Sequence, residues 1–573
     1  MNKKIITLLL CAAAAFPAAA QGWYDAYLFS QNEYGGTARS VGMGNALTAV
    51  GGDPGSLTFN PAGSSVAAYS QLVITPGLSF ASSYAIGTQA KVDGKATVIG
   101  YGNGVNADYT RFKLPNLGLI FNMDTGRRHG LKRWSFGIVM NTTQDYTSRI
   151  NAAGVNNYNS YAGSLASSAD GFAPEDLNGT WDYVADPAHC PAWTDMVAYR
   201  SYMINHVAGQ DGTYMALTEC MDEDGNFRIA GPLFQQYGST RRGYKNDMLI
   251  NLSANISDRF YLGANLGITS LNYRIEEFWF EKPENVADFP TLDFDDGTSA
   301  RFQSLRMRRD YRADGSGMYL KAGAIWRPFG GLRLGAAIQT PTILSIEENY
   351  AYTGDVSLSG MYTGSVSSPE DEFRYRVVSP MRVNAGVAYT LGSVAILSAD
   401  YELTRYGSMA FRSGYSDDPF ETYTDPFPGA NQDIRTLMGD SHTLRLGFEL
   451  KPAPGLAIRT GYNYATSGIQ KEYVLNESTF NYEAVTLSPE RKAALASSNV
   501  SFGLGFSSAR SFYLDAALRF RFQPQDFLVP YYYYAAADGA PFYEKGVNVD
   551  ILTPEISVKS VVTEALVTLG WRF

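Results

Sequence analysis

The chain has 573 residues, with 46 Lys and Arg against 56 Asp and Glu and a formal net charge of −10. That balance excludes a nucleic-acid partner, because phosphate binding needs a basic surface. Glycine (56), tyrosine (39) and phenylalanine (31) are plentiful, a mixture usual in barrels with apolar outer faces and polar lumens.

Taken in order, the chain opens with Met1-Asn2-Lys3-Lys4, an apolar run Ile5–Ala20 and the small residues Ala18-Ala19-Ala20. This reads as a secretory signal peptide, 1–20, cleaved after Ala20. No later stretch reaches the roughly 18 apolar residues of a membrane helix. The exported protein is therefore either soluble or a membrane-spanning barrel.

Residues 21–68 are unlike the rest. The segment from Gly36 through Gly42-Met43-Gly44 to Asp53 and Asn60-Pro61-Ala62-Gly63 is rich in Gly, Ala and Ser and carries two charges, Arg39 and Asp53. Val41, Met43, Ala46, Leu47 and Val50 do not alternate as a strand does. Each Gly weakens a helix by roughly 1 kcal/mol relative to Ala. Short, kinked helical turns wedged into a tight space are expected. Asn60 stands before Pro61, which makes it extended and ends any helix there.

Residues 69–573 read as strands. Met248, Ile250, Leu252, Ala254 and Ile256 share one face, and Asn251, Ser253 and Asn255 the other. Phe260, Leu262, Ala264, Leu266 and Ile268 continue the apolar face after a tight turn. Such hairpins recur to a total of about fourteen strands, an even number, as in bacterial transmembrane barrels. The turns on one side are short. On the other side lie long connections, 147–245 being the largest, followed by 275–315, 344–375, 406–441, 465–498 and 523–555. The expected fold is all-β, an antiparallel transmembrane barrel of about fourteen strands.

The chain ends on an amphipathic strand with Trp571 and Phe573 on one face. This resembles the signal read by the outer-membrane barrel assembly machinery. Polar-face charges such as Glu402, Glu449, Glu564, Arg382, Arg445 and Arg519 read as lumen salt bridges that hold a plug or as plain hydration of the interior, rather than as an acid/base pair. Cys190 and Cys220 share the longest loop, and export favours a disulfide between them. Free thiols and a metal cluster with His189 and His206 are the alternatives, but the spacing fits no zinc pattern. Acidic runs at 222–226 and 293–297 read as turns rather than calcium loops. No nucleophile elbow or zinc-protease motif is present, so the chain reads as a non-enzyme without cofactor. His442, at a strand start, is a solvated polar residue or, far less favoured, a wall-borne lipase group. The Tyr531–Tyr534 run is a place to dock a hydrophobic ligand, or part of the outer aromatic girdle.

Gly42, Gly44, Asp53 and Asn60-Pro61-Ala62-Gly63, standing just ahead of the first strand, resemble the amino-terminal hatch of the FadL family of outer-membrane transporters of long-chain fatty acids and other hydrophobic compounds. The resemblance implies a hatch plugging a fourteen-stranded barrel, an apolar pocket above it, and passive transport. It also implies displacement of the amino terminus by ligand and sideways exit through a gap at a kinked strand. The hatch and gate residues are then Gly42, Gly44, Asp53, Asn60, Pro61, Ala62 and Gly63. Trp23, Tyr24, Arg39, Tyr531 and Tyr532 are the ligand-binding candidates. Pro115, which lacks a donor, and Gly137 are the candidates for the wall kink. The implied partners are outer-membrane lipid, a hydrophobic small molecule and the assembly machinery, for a protein acting as a monomer. The alternative is an outer-membrane receptor or adhesin that binds haem, glycan or protein through the 147–245 loop.

Overall fold

A period of two, sustained stave after stave, decides the architecture. The computed structural model describes residues 22–92, 95–181, 190–223, 225, 227–293, 297–359, 363–414, 427–476, 481–508, 511–532 and 553–573. The signal peptide, His189, Tyr533, Tyr534 and parts of both acidic runs lie outside them.

Fourteen staves are present. They are β1 (Gln71–Gly87), β2 (Val105–Asp124), β3 (Leu131–Asp145 continued by Ser148–Asn156), β4 (Leu233–Ile256) and β5 (Phe260–Pro283). Then come β6 (Ser299–Phe329), β7 (Leu332–Gln339 continued by Ile343–Leu358), β8 (Asp371–Val378 continued by Arg382–Leu391), β9 (Ala395–Arg405) and β10 (Asp440–Ala453). The last four are β11 (Leu456–Ala465), β12 (Ser497–Ser507), β13 (Phe512–Phe522) and β14 (Ile556–Arg572). Neighbours pair antiparallel, and β14 pairs back onto β1 from Gln71↔Arg572 to Gly87↔Ile556, closing the cylinder.

Outward side chains such as Leu252, Leu262, Leu320, Phe502 and Leu504 are exposed, whereas inward Asn251, Ser253, Asn265 and Lys321 are buried. A greasy ring of this extent is far beyond what a protein in water tolerates. It is the lipid-facing belt of a transmembrane barrel. Trp326 and Trp571 are exposed at the short-turn end of their staves. Trp571 packs on Phe512 at 5.4 Å and Phe573 on Phe121 at 6.1 Å.

Three stretches expected as loops begin or end as wall. β4 and β5 run 24 residues each and β6 runs 31, against the roughly 9–11 that a membrane crossing needs. Above the belt the pattern inverts. On β6, Leu305, Met307 and Ala313 are buried, while Arg308 and Arg312 face out. Alternation persists, but the outer face has become charged, so the greasy-outside rule does not register it as barrel wall.

The lumen is filled by the chain's front end. Helix α1 (Trp23–Ser30) stands highest. Helix α2 (Ala38–Gly42) and two 3-10 turns, Pro54–Thr58 and Pro61–Val66, lie below it. Residues 36–65 are almost wholly buried. A row of wall glycines makes room for them. A Cβ on Gly335 would stand 2.3 Å from the Thr48 carbonyl oxygen, and one on Gly461 would stand 2.0 Å from the Gly44 nitrogen. Gly44 has φ +61° and its own Cβ would meet the Leu446 oxygen at 2.7 Å.

Gly461→Ala therefore forces the plug off the wall. A loss of about 1–3 kcal/mol is expected for such overpacking. The check is thermal unfolding together with protease cleavage within 36–65, which should speed up while the barrel keeps its folded mobility on cold SDS gels.

Candidate functional site: the plugged lumen and the gap in its wall

The plug's polar residues first organise the plug itself. Asp53 Oδ1 accepts from Thr37 Oγ1 and from the Gly55 nitrogen, both at 2.8 Å. Asn60 accepts from Ala62 N at 3.1 Å and donates to Thr48 O at 2.8 Å and, across to the wall, to Ala324 O at 3.0 Å. Pro61 opens the second 3-10 turn, where its missing N–H costs nothing. Ala62 is fully buried, and a Cβ on Gly63 would strike Ser56 Oγ at 2.5 Å. Gly42 lies against Gly503 of β12.

The wall supplies the rest. Plug carbonyls receive wall donors one after another. Lys245 Nζ binds Phe29 O at 2.8 Å and Gln31 O at 2.5 Å, and Arg382 Nη2 binds Ser30 O at 2.6 Å. Arg519 binds Tyr34 O at 2.9 Å, Arg333 binds Val50 O at 2.7 Å, and Lys321 binds Thr58 O at 2.6 Å. Cations at Ser30 and Gln31 also suit the negative end of α1. Wall acids hold the remaining charge. Arg382 and Arg445 share Glu402 at 3.0 and 2.8 Å, and Arg519 and Arg521 share Glu564.

Arg39 is tied into this scaffold. Its Nε stands 2.9 Å from Glu449, which also holds Arg459 at 2.7 Å, and Arg459 reaches Asp515 at 2.6 Å. This chain lies at the short-turn end, beside a polar cavity of about 390 Å³.

Above the plug the lumen has two unlike halves. One is aromatic. α1 presses Ala26, Tyr27 and Phe29 into a cluster with Tyr146, Tyr273, Tyr311, Leu344, Tyr375 and Phe411, and Trp23 packs at its edge. Phe29 meets Tyr273 edge-on at 5.8 Å. The other half holds two adjoining cavities of about 190 and 120 Å³. Tyr24, 40% exposed, faces the larger one.

The wall is incomplete beside that larger cavity. β2 and β3 pair only from Asn116↔Asn141 to Asp124↔Arg133. Above this, Val105–Lys113 pairs with β1 alone and Ser148–Asn156 with β4 alone, apart from one bridge between Asn103 and Ala153. Pro115 sits where the ladder stops. Gly137 does not mark the gap: it pairs with both Ile120 and Asn251, and neither ladder shifts register at that residue. The plug takes over from the missing stave, since Gly35 N donates to Thr142 O at 2.8 Å and Glu33 N to Thr143 O at 2.6 Å. Side chains staple what remains. Arg111 donates to Thr147 Oγ1 and to Gly243 O, each at 3.0 Å, and Asp145 lies 3.7 Å from Lys113 and 3.8 Å from Arg111. Glu33, Gly35, Arg111 and Asp145 carried no signal in the sequence, because their meaning depends on a ladder that is absent.

The described residues between 157 and 232 form a cap on the long-loop end. Its helices α3 (Tyr161–Ala169) and α4 (Trp193–Arg200) share one core with the stave tops, in which Trp193, Met196 and Met203 join Phe302, Met307 and Val558. Tyr531 belongs to this core, contrary to the expectation of an exposed ligand-docking ring. It is 5% exposed, and its hydroxyl accepts from Gln235 Nε2 at 2.7 Å and donates to Asn159 Oδ1 at 3.0 Å. Tyr532 beside it is exposed. The expected disulfide is not formed. Cys220 sits in a two-stranded ladder opposite Arg228 while Cys190 leads towards α4, and their sulfurs are not bonded to each other. His442 is exposed on the outer face, its Nδ1 2.6 Å from the Tyr401 hydroxyl.

Fourteen closed staves around an N-terminal plug, with a broken ladder beside it, set the architecture. The fold is a plugged fourteen-stranded barrel. No protein-family model and no curated protein matches the sequence. Among solved structures, a Pseudomonas aeruginosa FadL homologue is similar at 13% identity over 95% of this chain and 99% of that chain, with a TM-score of 0.47. The P. putida toluene transporter TodX is similar at 12% identity over 94% and 99%, TM-score 0.47, and the CymD monoaromatic hydrocarbon channel at 12% over 94% and 98%, TM-score 0.42. At identities of 12–13% and TM-scores under 0.5, these likenesses say nothing of what passes through this barrel.

Two outcomes follow. Glu449→Leu takes the acid from the plug's Arg39 and leaves Arg459 only Asp515, and should destabilise the plug's seating by about 3–5 kcal/mol, the usual cost of breaking a buried pair. Differential scanning calorimetry checks this. In the cap, burial pushes the carboxyls of Asp195 and Glu219 each up to about 7. A carboxyl that holds its proton more tightly when folded favours the fold at low pH, and that stability is lost as pH rises from the ordinary carboxylate range through about 7. Proteolysis of the cap should be slower at pH 5 than at pH 8, and Asp195→Asn should flatten the difference.

Proposed function

We propose that this protein is a passive transporter of hydrophobic molecules in the outer membrane. The observation that carries the reading is α1 itself. An apolar helix at the start of the plug fills an aromatic recess in the upper lumen, as an incoming greasy ligand would. A ligand with greater affinity for that recess displaces α1. Because α1 runs straight into Glu33–Gly35, its withdrawal pulls on the segment that spans the wall gap at Pro115. The larger cavity adjoins that gap, so sideways release towards lipid is the shortest exit. Gly42, Gly44, Asp53 and Asn60–Gly63 then keep the lower plug seated while the upper part moves.

Trp571 and Phe573, exposed on the last stave, serve as the signal to the assembly machinery, and the barrel acts as a monomer. The receptor or adhesin reading is less well supported. The cap shares its core with the stave tops and closes over the mouth, which suits a vestibule better than a binding module on an inert anchor.

Deleting residues 22–30 should leave a heat-resistant barrel in the membrane and raise uptake of a hydrophobic probe into proteoliposomes several-fold. Unchanged uptake would sink displacement gating.

A further inference from the structure

The wall carries a basic face on its outside, although the chain as a whole has a net charge of −10. On the outward positions of β4, β5 and β6 above the belt stand six cations, Arg242, Arg274, Lys282, Arg306, Arg308 and Arg312, against three acids, Glu276, Asp310 and Asp314. The positive charge is crowded. Arg242 lies directly opposite Arg274, and Arg274 directly opposite Arg312. Like charges so placed weaken a sheet. The acids reach only part of the set. Glu276 lies 3.6 Å from Arg242, Asp314 holds Arg312, and Asp355 of β7 lies 3.2 Å from Arg308. Among the described residues, Arg274, Arg306 and Lys282 have no acid at ion-pair distance. Arg306 lies instead over the rings of Phe278 and Phe280 at 5.1 and 5.3 Å, and Lys282 over Phe234 at 5.2 Å.

We infer that this face binds the anionic saccharide head of a glycolipid in the outer leaflet. The face continues upward from the lipid-facing belt, and its height selects the occupant. Met318, 64% exposed, is the last apolar outward residue of the belt on β6. Arg312 stands six residues above it and Arg306 twelve. On a stave tilted by roughly 45°, rising about 3.4 Å per residue, these lie about 14 and 29 Å above the hydrocarbon. A phospholipid headgroup layer is only about 5–8 Å deep, so a phospholipid phosphate stops short of both. A glycolipid lifts its phosphates and carboxylates to this level on sugar rings. Guanidinium forks match such oxygens in bidentate pairs. The partly exposed rings of Phe234, Phe278 and Phe280 offer apolar faces to the sugars between the anions. Bound anions also relieve the repulsion along Arg242, Arg274 and Arg312. The patch faces away from the lumen, so its occupant is independent of what the barrel transports.

The test uses the full mature chain in neutral maltoside micelles, titrated by isothermal calorimetry. The probes are a rough-type lipopolysaccharide with a phosphorylated sugar core, lipid A alone, and phosphatidylglycerol. The rough form should bind about tenfold more tightly than either of the others at equal salt. Arg274→Gln with Arg306→Gln should weaken the rough form about tenfold and leave phosphatidylglycerol within about twofold. Lys282→Gln with Arg306→Gln is the second variant, and folded mobility on cold SDS gels confirms that each barrel is intact. Lipid A or phosphatidylglycerol binding as tightly as the rough form overturns the inference, because the contact then lies at the membrane surface. Binding of the rough form unaltered in both variants also overturns it. Tighter binding of the core saccharide freed of its lipid does so too, and assigns the face to a soluble polysaccharide.

Discussion

An irregular backbone inside a barrel has nowhere to send its polar groups except to the wall. Staves satisfy one another, but the plug has neither a sheet nor a long helix of its own, and unpaired backbone groups away from water are costly. The wall answers with long donors. Lys245, Lys321, Arg333, Arg382 and Arg519 each end on a plug carbonyl, and Asn251 and Asn265 reach Pro61 O and Leu57 O. Glutamates 402, 449 and 564 then balance the cations that this arrangement requires. The charged lumen is thus a consequence of the plug, and the near-absence of charge in the plug is its counterpart. Two charged surfaces at such close range would need pairing at every point, whereas a backbone presents the same acceptor at every residue.

The same constraint accounts for the break in the wall. Thr142 and Thr143 have carbonyls with no stave opposite, and the plug satisfies them through Gly35 and Glu33. At this point the plug is itself part of the wall. The staples from Arg111 and Lys113 hold the remaining edge without a backbone ladder, so they can part without unzipping neighbouring staves.

The membrane belt was legible because lipid outside and polar groups inside impose opposite chemistry on alternate residues. Stave count, short-turn end and the Asn and Ser faces of β4 and β5 all follow from that, and the kinked small-residue plug from Gly42, Gly44 and Pro61. Above the lipid the rule lapses. Arg308, Arg312, Met307 and Ala313 alternate just as strictly, yet they look like loop to a reader who expects grease outside. Gly137 and Pro115 were indistinguishable as breakers until the ladders separated them. Tyr531 looked exposed because its partners, Gln235 and Asn159, come from segments hundreds of residues away. The pairing of Cys190 with Cys220 was argued from shared loop and compartment, neither of which says where the backbone carries each thiol.

The tall staves have one more consequence. At about 3.4 Å per residue, the eleven steps from Met318 to Met307 on β6 carry the capped core far above the hydrocarbon boundary. A molecule approaching from outside therefore meets a proteinaceous turret before it meets the bilayer. Whatever it has to shed, solvent or a carrier, is shed at that height and not at the lipid surface.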